Sequence, residues 1–169
     1  MKFNKTFLTA AVRALGGFTA MSGANAAETT DNFGITLKVD SICTISSVGD
    51  VDLGSIQAGQ ATSAVSQTST LVLNCSEGAL PVISLSPSSK SVDGKGTMKG
   101  ASSDQTVPYK LTSDLAGDTP WGSAGNTVSL AAATNYITDI ETTIYATVEG
   151  IADVKPDTYT DTVQVTVSY

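Results

Sequence analysis

Each end of this chain carries a strict alternation of apolar and polar residues, and this pattern limits the fold more than any other feature. Near the start, Phe33, Ile35, Leu37 and Val39 alternate with Gly34, Thr36, Lys38 and Asp40. At the end, Val163, Val165, Val167 and Tyr169 alternate with Gln164, Thr166 and Ser168, after an outlying Tyr159. A period of two puts successive side chains on opposite faces, which is the pattern of a half-buried strand and not of a helix. Between these ends, residues 70–75 and 80–85 read as strands divided by Ser76-Glu77-Gly78. Residues 107–111, 128–130 and 142–148 are further short candidates. The connections at 86–103 and 113–125 are rich in Gly, Ser, Asp and Pro, and no window of helical length shows an apolar stripe with caps. Short strands at this spacing predict a single all-β domain, a β-sandwich.

The two terminal runs raise a problem of pairing. Ser41, Cys43 and Ile45 continue the parity of the first run, so residues 33–45 would form one strand of 13 residues, roughly 43 Å long. Strands in small sandwiches are usually shorter. Either the run breaks near Asp40-Ser41, which frees residues 31–39 to pair elsewhere, or a long strand bends and crosses between sheets. Periodicity alone leaves both open. At the other end, nothing after Tyr169 covers the last strand, and an uncovered apolar edge invites pairing. A loose apolar strand at the start and an open edge at the end can satisfy one another head to tail, by β-strand addition between copies.

Composition sets the compartment. Lys2 and Lys5 open the chain, an apolar and small-residue stretch follows from Phe7, and Ala24-Asn25-Ala26 offers a small-x-small cleavage site. Residues 1–26 therefore read as a secretory signal, with Ala27 first after cleavage. The stretch is interrupted by Arg13 and is shorter than a membrane span needs. Removing it leaves 143 residues with six lysines against sixteen acids, a net charge of −10. That charge opposes nucleic acid and anionic lipid alike, since both are recognised by neutralising phosphate. Cys43 and Cys75 are the only cysteines. In an oxidising compartment they are expected to form one disulfide, because their spacing is far from C-x-x-C and no histidine exists to complete a mixed metal site.

The absence of histidine also removes every Ser-His and Cys-His arrangement. Carboxylates could still act in pairs, as in glycoside hydrolysis, and Asp50/Asp52, Asp114/Asp118 and Asp139/Glu141 are close enough in sequence to consider. Each falls near a loop or strand edge, where a solvated acid is the ordinary outcome. Asp93-Gly94-Lys95-Gly96 lacks the remaining framework of a phosphate loop and reads as a flexible turn. The acidic loops could hold calcium, but EF-hand spacing is absent. Trp121, the only tryptophan, reads as a core anchor. No catalytic residue, cofactor or metal site is expected.

Several segments together resemble a known family. They are the alternating run before Cys43, Leu53-Gly54, Leu73-Asn74-Cys75, Pro108-Tyr109-Lys110-Leu111, Trp121-Gly122, and the ending from Thr158 to Tyr169. In this order they cover the exported part, and the ending is the most specific piece. The chain is similar to the archaic chaperone-usher pilins, the Csu-type and spore-coat-U-like subunits of bacterial surface fibres. It departs from them at Tyr145-Ala146-Thr147-Val148, where the family often has a Tyr-Gly-Arg-like stretch.

The resemblance implies an incomplete immunoglobulin-like β-sandwich, completed by a donor strand from a neighbouring subunit. Residues 27–40 would then be the donor segment, with Phe33, Ile35, Leu37 and Val39 as its inserted side chains, and residues 41–169 the pilin domain. The run from Tyr159 to Tyr169, with Val163, Val165 and Val167, would form one wall of the acceptor groove and the edge shown to a chaperone. It further implies a periplasmic chaperone, an outer-membrane usher, neighbouring copies and a tip adhesin as partners, and a place on the cell surface. The alternative is a one-domain adhesin or a carbohydrate-binding surface module. A two-domain tip adhesin would need a further receptor-binding domain that 143 residues do not hold.

Overall fold

The structure is a computed structural model describing residues 27–59, 65–149 and 153–169. The secretory signal read at residues 1–26 lies outside the described residues. The chain divides into two units, Met1–Leu37 and Lys38–Tyr169. In the first, residues 27–37 form no strand, and Phe33, Ile35 and Leu37 are each at least 84% exposed.

The second unit is built of nine strands: β1 (Cys43–Val48), β2 (Ser66–Cys75), β3 (Val82–Pro87), β4 (Lys95–Gly100), β5 (Thr106–Thr112), β6 (Val128–Ser129), β7 (Ile140–Val148), β8 (Tyr159–Thr160) and β9 (Val163–Ser168). They form a six-stranded sheet in the order β1-β2-β7-β5-β4-β8 and a three-stranded sheet in the order β6-β3-β9. Every ladder in both sheets is antiparallel.

Alternation explains which side of each strand is dry. Leu71, Leu73 and Cys75 of β2 are fully buried, and their neighbours Thr70, Val72 and Asn74 face outward. In β3, Ile83 and Leu85 are buried from the opposite sheet. Ile144 and Ala146 of β7 and Leu111 of β5 complete a core between the two sheets. Trp121 is fully buried, and its indole N–H donates to the Ile83 carbonyl at 3.1 Å, so a long loop is pinned to β3. The expected core anchor is therefore in place. Cys43 and Cys75 face each other across β1 and β2, 4.1 Å apart at Cα, and are joined by a disulfide.

Four expectations need correction. The alternation at Phe33, Ile35, Leu37 and Val39 predicts a half-buried strand, yet no strand occurs before Cys43 among the described residues. An extended segment with no ladder partner cannot satisfy its backbone groups as a strand does, so the pattern marks a potential and not a local structure. The strand expected at 80–85 is shifted to Val82–Pro87, and Leu80 is 62% exposed. The turn expected at Asp93-Gly94-Lys95-Gly96 is confined to its first half, since Lys95 and Gly96 open a strand, β4, where the composition predicts only a connection.

Finally, the run from Tyr159 to Tyr169 is not one strand. Tyr159 belongs to β8 in the six-stranded sheet, opposite Gly100, whereas Val163, Val165 and Val167 belong to β9 in the other sheet, opposite β3. Asp161 and Thr162 carry the chain across.

Candidate functional site

β9 is hydrogen-bonded to β3 along one side only; its other side pairs with no described strand. Val163, Val165 and Val167 are half-buried and packed against the core, while Gln164, Thr166 and Ser168 face solvent. Beside this edge the sandwich is open. A cavity of about 400 Å³ lies between Val163 and Val165 on one wall and Val51 and Leu53 on the other, with Tyr109 and Ile144 in its lining. A second hollow of about 520 Å³ shares Val51, Leu53, Met98, Tyr159 and Thr160 with the first and extends it towards Val107 and Val148. The two make one groove with predominantly apolar walls, which meets the unpaired edge of β9 at Val163 and Val165.

The sequence puts Val163, Val165 and Val167 on one inward row, as the structure has them, but gives no sign of the opposite wall. Val51 and Leu53 alternate about Asp52, but the run is too short to stand out, and Asp52 turns the chain by accepting the Gly54 N–H at 2.8 Å. Met98 was hidden with the rest of β4. Tyr159 lines both cavities, and its hydroxyl donates to the Lys155 carbonyl at 2.8 Å. Tyr169 lies beyond β9 and is 56% exposed, so it does not continue the inward row.

The polar groups at this site hold structure. Tyr109 is buried, and its hydroxyl donates to Asp161 at 2.6 Å. Burial first, and the Asp161 carboxylate second, push its phenol well above the ordinary tyrosine range. Such a hydroxyl stays protonated and acts as a fixed donor.

One member of each carboxylate pair in the sequence, Asp52, Asp114 and Asp139, likewise accepts a structural hydrogen bond. Asp114 accepts the amides of Gly117, Asp118 and Thr119 at 2.6–3.1 Å. The Thr119 side chain first, and these amides with it, lower it to about 2. Asp139 accepts from the Asn74 side chain at 2.8 Å. Among the described residues no three Asp, Glu, Cys or His side chains gather as a metal site would require.

The proposed donor residues are also accounted for. Phe33, Ile35, Leu37 and Val39 are 82–85% exposed. At about 3.3 Å per residue, the seven residues from Phe33 to Val39 would extend roughly 23 Å as a strand, against roughly 20 Å for the six of β9. The segment and the open edge are thus matched in length and in period.

Comparison with known proteins follows the same lines. No curated protein matches the sequence. Among solved structures, the fold resembles a chain in the crystal structure of the CsuC–CsuE chaperone–tip adhesion subunit pre-assembly complex, from the archaic chaperone-usher Csu pili of Acinetobacter baumannii. The TM-score is 0.52 at 20% identity, covering 78% of this chain and 40% of that one. A chaperone–tip adhesin complex of CFA/I fimbriae matches at TM-score 0.49 and 16% identity, over 71% of this chain and 38% of the other. This chain therefore spans well under half the length of either match. The first likeness establishes an immunoglobulin-like sandwich. Residues 29–166 match the family model of the Spore Coat Protein U domain. The resemblance noted in the sequence holds, and the chain belongs to the Spore Coat Protein U domain family.

Proposed function

We propose that this protein is an exported structural subunit of a bacterial surface fibre, a shaft pilin that polymerises head to tail by donor-strand exchange. The observation that carries the reading is the open edge of β9 above an apolar groove, in a chain whose own residues 33–39 display four exposed apolar side chains at the matching period. In the polymer, Phe33, Ile35, Leu37 and Val39 of one copy enter the groove of the next and pair with β9. Full burial of four such side chains contributes roughly 6–12 kcal/mol by transfer, before the entropy of ordering the segment is subtracted. Because the inserted strand completes a core, its release requires that core to open, and the fibre persists kinetically.

An open groove is a hazard before assembly, so a periplasmic chaperone fills it first and an outer-membrane usher exchanges the chaperone for the next subunit. The Acinetobacter structure, itself a chaperone–subunit pre-assembly complex, supports a chaperone as the first partner. Residues 1–26 direct export and are removed, residues 27–40 donate, and residues 41–169 form the acceptor domain. A tip adhesin caps the chain of copies if it presents the same groove chemistry.

The test is electron microscopy of the purified exported protein, with mass spectrometry of its mature N-terminus. Fibres from a chain beginning at Ala27, and none from Leu37→Asp despite a folded, chaperone-bound subunit, support the reading. Fibres of parental length from Leu37→Asp overturn it.

A further inference from the structure

β1 begins, β2 ends, β3 begins and β9 ends at the same end of the sandwich, marked by Cys43, Cys75, Val82 and Ser168. Val48, Pro87 and Val163 mark the opposite end, where the groove is open. The first end is apolar although it faces solvent. Ile137 is 89% exposed and Leu80 62%, and Tyr136, Ile42 and Tyr169 add exposed surface there.

The loops bearing these side chains are tied together. Ser76 N–H donates to the Ile42 carbonyl at 2.8 Å, Gly78 N–H donates to the Ala133 carbonyl at 2.9 Å, and Ala133 N–H donates to the Ala79 carbonyl at 2.9 Å. The Tyr136 hydroxyl lies 3.2 Å from Thr44 Oγ1. Asn135 Oδ1 accepts from the Ile137 amide, the Thr138 amide and the Thr138 hydroxyl at 2.8–3.0 Å, which fixes the turn that holds Ile137 outward. Clustered, ordered apolar surface of this kind marks a protein contact.

The chain entering this end identifies what covers it. The Ser41 hydroxyl pairs with the Ser76 hydroxyl at 3.0 Å, and Ile42 N–H donates to Ser76 Oγ at 3.1 Å. The backbone is therefore anchored from Ser41 onward. Only Asp40 separates that anchor from Val39, the last of the donor side chains. Two residue steps reach at most about 7 Å, so the neighbour that accepts Val39 must lie against this end.

The direction of the donated strand selects the neighbour's surface. Every ladder here is antiparallel, and antiparallel pairs are the more stable kind. A segment antiparallel to β9 leaves the groove at the Val163 end. Parallel insertion would bring it out at the Ser168 end, and one apolar end would then have to receive both neighbours of each copy.

We infer that the end carrying Leu80, Tyr136 and Ile137 is a junction surface that packs on the Val163 end of the neighbouring copy, an inference that rests on the strand-donation reading. The contact joins unlike ends, so it repeats along an open filament. Val48 and Ile56, both exposed near the groove end, offer apolar partners. The joint stiffens the fibre, while the groove alone supplies the pairing that assembles it.

Hydroxyl-radical footprinting of fibres and of monomer, read by mass spectrometry, tests this directly. Labelling of Ile137 and Leu80 falls about tenfold on assembly, as burial of exposed side chains in the core of an interface requires. Ile137→Ser and Leu80→Ser still yield fibres, visibly more bent than the parent by electron microscopy. If fibres form with residues 33–39 protected but Ile137 and Leu80 labelled as in the monomer, the junction is wrong and strand donation stands. If residues 33–39 are also labelled at the monomer rate, strand donation fails and the junction fails with it.

Discussion

The Tyr109 hydroxyl donates a 2.6 Å hydrogen bond to Asp161, and so ties β5 to the point where the chain leaves one sheet for the other. The second oxygen of Asp161 accepts from the Ser88 hydroxyl, just beyond β3. One carboxylate thus fastens both sheets at the Val163 end of the groove. Its place between β8 and β9 decides where the open edge of β9 begins.

Loss of this clamp lowers stability. Asp161→Ala leaves a buried hydroxyl without its acceptor and costs about 1.5–3 kcal/mol, as for hydrogen bonds to charged groups. Tyr109 also gives a pH signature. Its phenol is raised in the folded state, so its contribution is complete below the ordinary tyrosine value near 10 and is lost as pH climbs above it. Tyr109→Phe flattens the alkaline limb of a melting curve series taken between pH 8 and 12. An unchanged limb would remove Tyr109 as its source.

Asp114 predicts the opposite limb. Its folded value of about 2 lies below that of an unfolded aspartate. Its contribution is present above about pH 4 and is lost as pH falls towards 2. Asp114→Asn melts lower than the parent at pH 7, and the gap closes by pH 2. A gap of equal size at both values would show that the charge on Asp114 does not hold the loop.

The two faces of β9 respond differently to substitution. Val165→Asp puts an unpaired carboxylate against the core, and the exported protein fails to accumulate. Gln164→Ser, on the outward face, leaves yield and melting temperature within the small range of ordinary surface changes. Immunoblots of periplasmic extracts separate the two outcomes, and equal yields from both variants would contradict the inward direction of Val165.

Much of this could be read from residue order because period-two patterns and turn chemistry are local. The edges of β2, β5 and β7 fall within a few residues of their alternating runs, and the pairing of Cys43 with Cys75 needed only their number and compartment. What escaped depends on distant contacts. β4 has one large apolar residue, Met98, between two glycines. Gly96 is there because the Tyr109 ring lies over it: a Cβ would fall 2.2 Å from the ring. Gly94, at φ 77°, likewise sits where a Cβ would meet the Trp121 carbonyl at 2.6 Å. Both look like turn residues in sequence; packing alone demands Gly96, whereas a left-handed φ and packing together demand Gly94. The break at Asp161 was hidden for a related reason. The alternation from Tyr159 onward hardly lapses, and only the partners of Asp161 show that the sheets change there. The opposite wall of the groove, Val51 and Leu53, acquires its meaning from β9, more than a hundred residues later.

The central claim is that residues 31–39 fill the groove beside β9 of a neighbouring copy. The most direct measurement moves that segment behind Tyr169 through a short flexible linker and records melting temperature and particle size. The account predicts a soluble monomer that melts above the parent and no longer assembles, because Phe33, Ile35, Leu37 and Val39 now occupy its own groove. Shifting the moved segment by one residue turns all four side chains to the wrong face and abolishes the gain. A rearranged protein that melts no higher than the parent and still forms fibres would contradict the account.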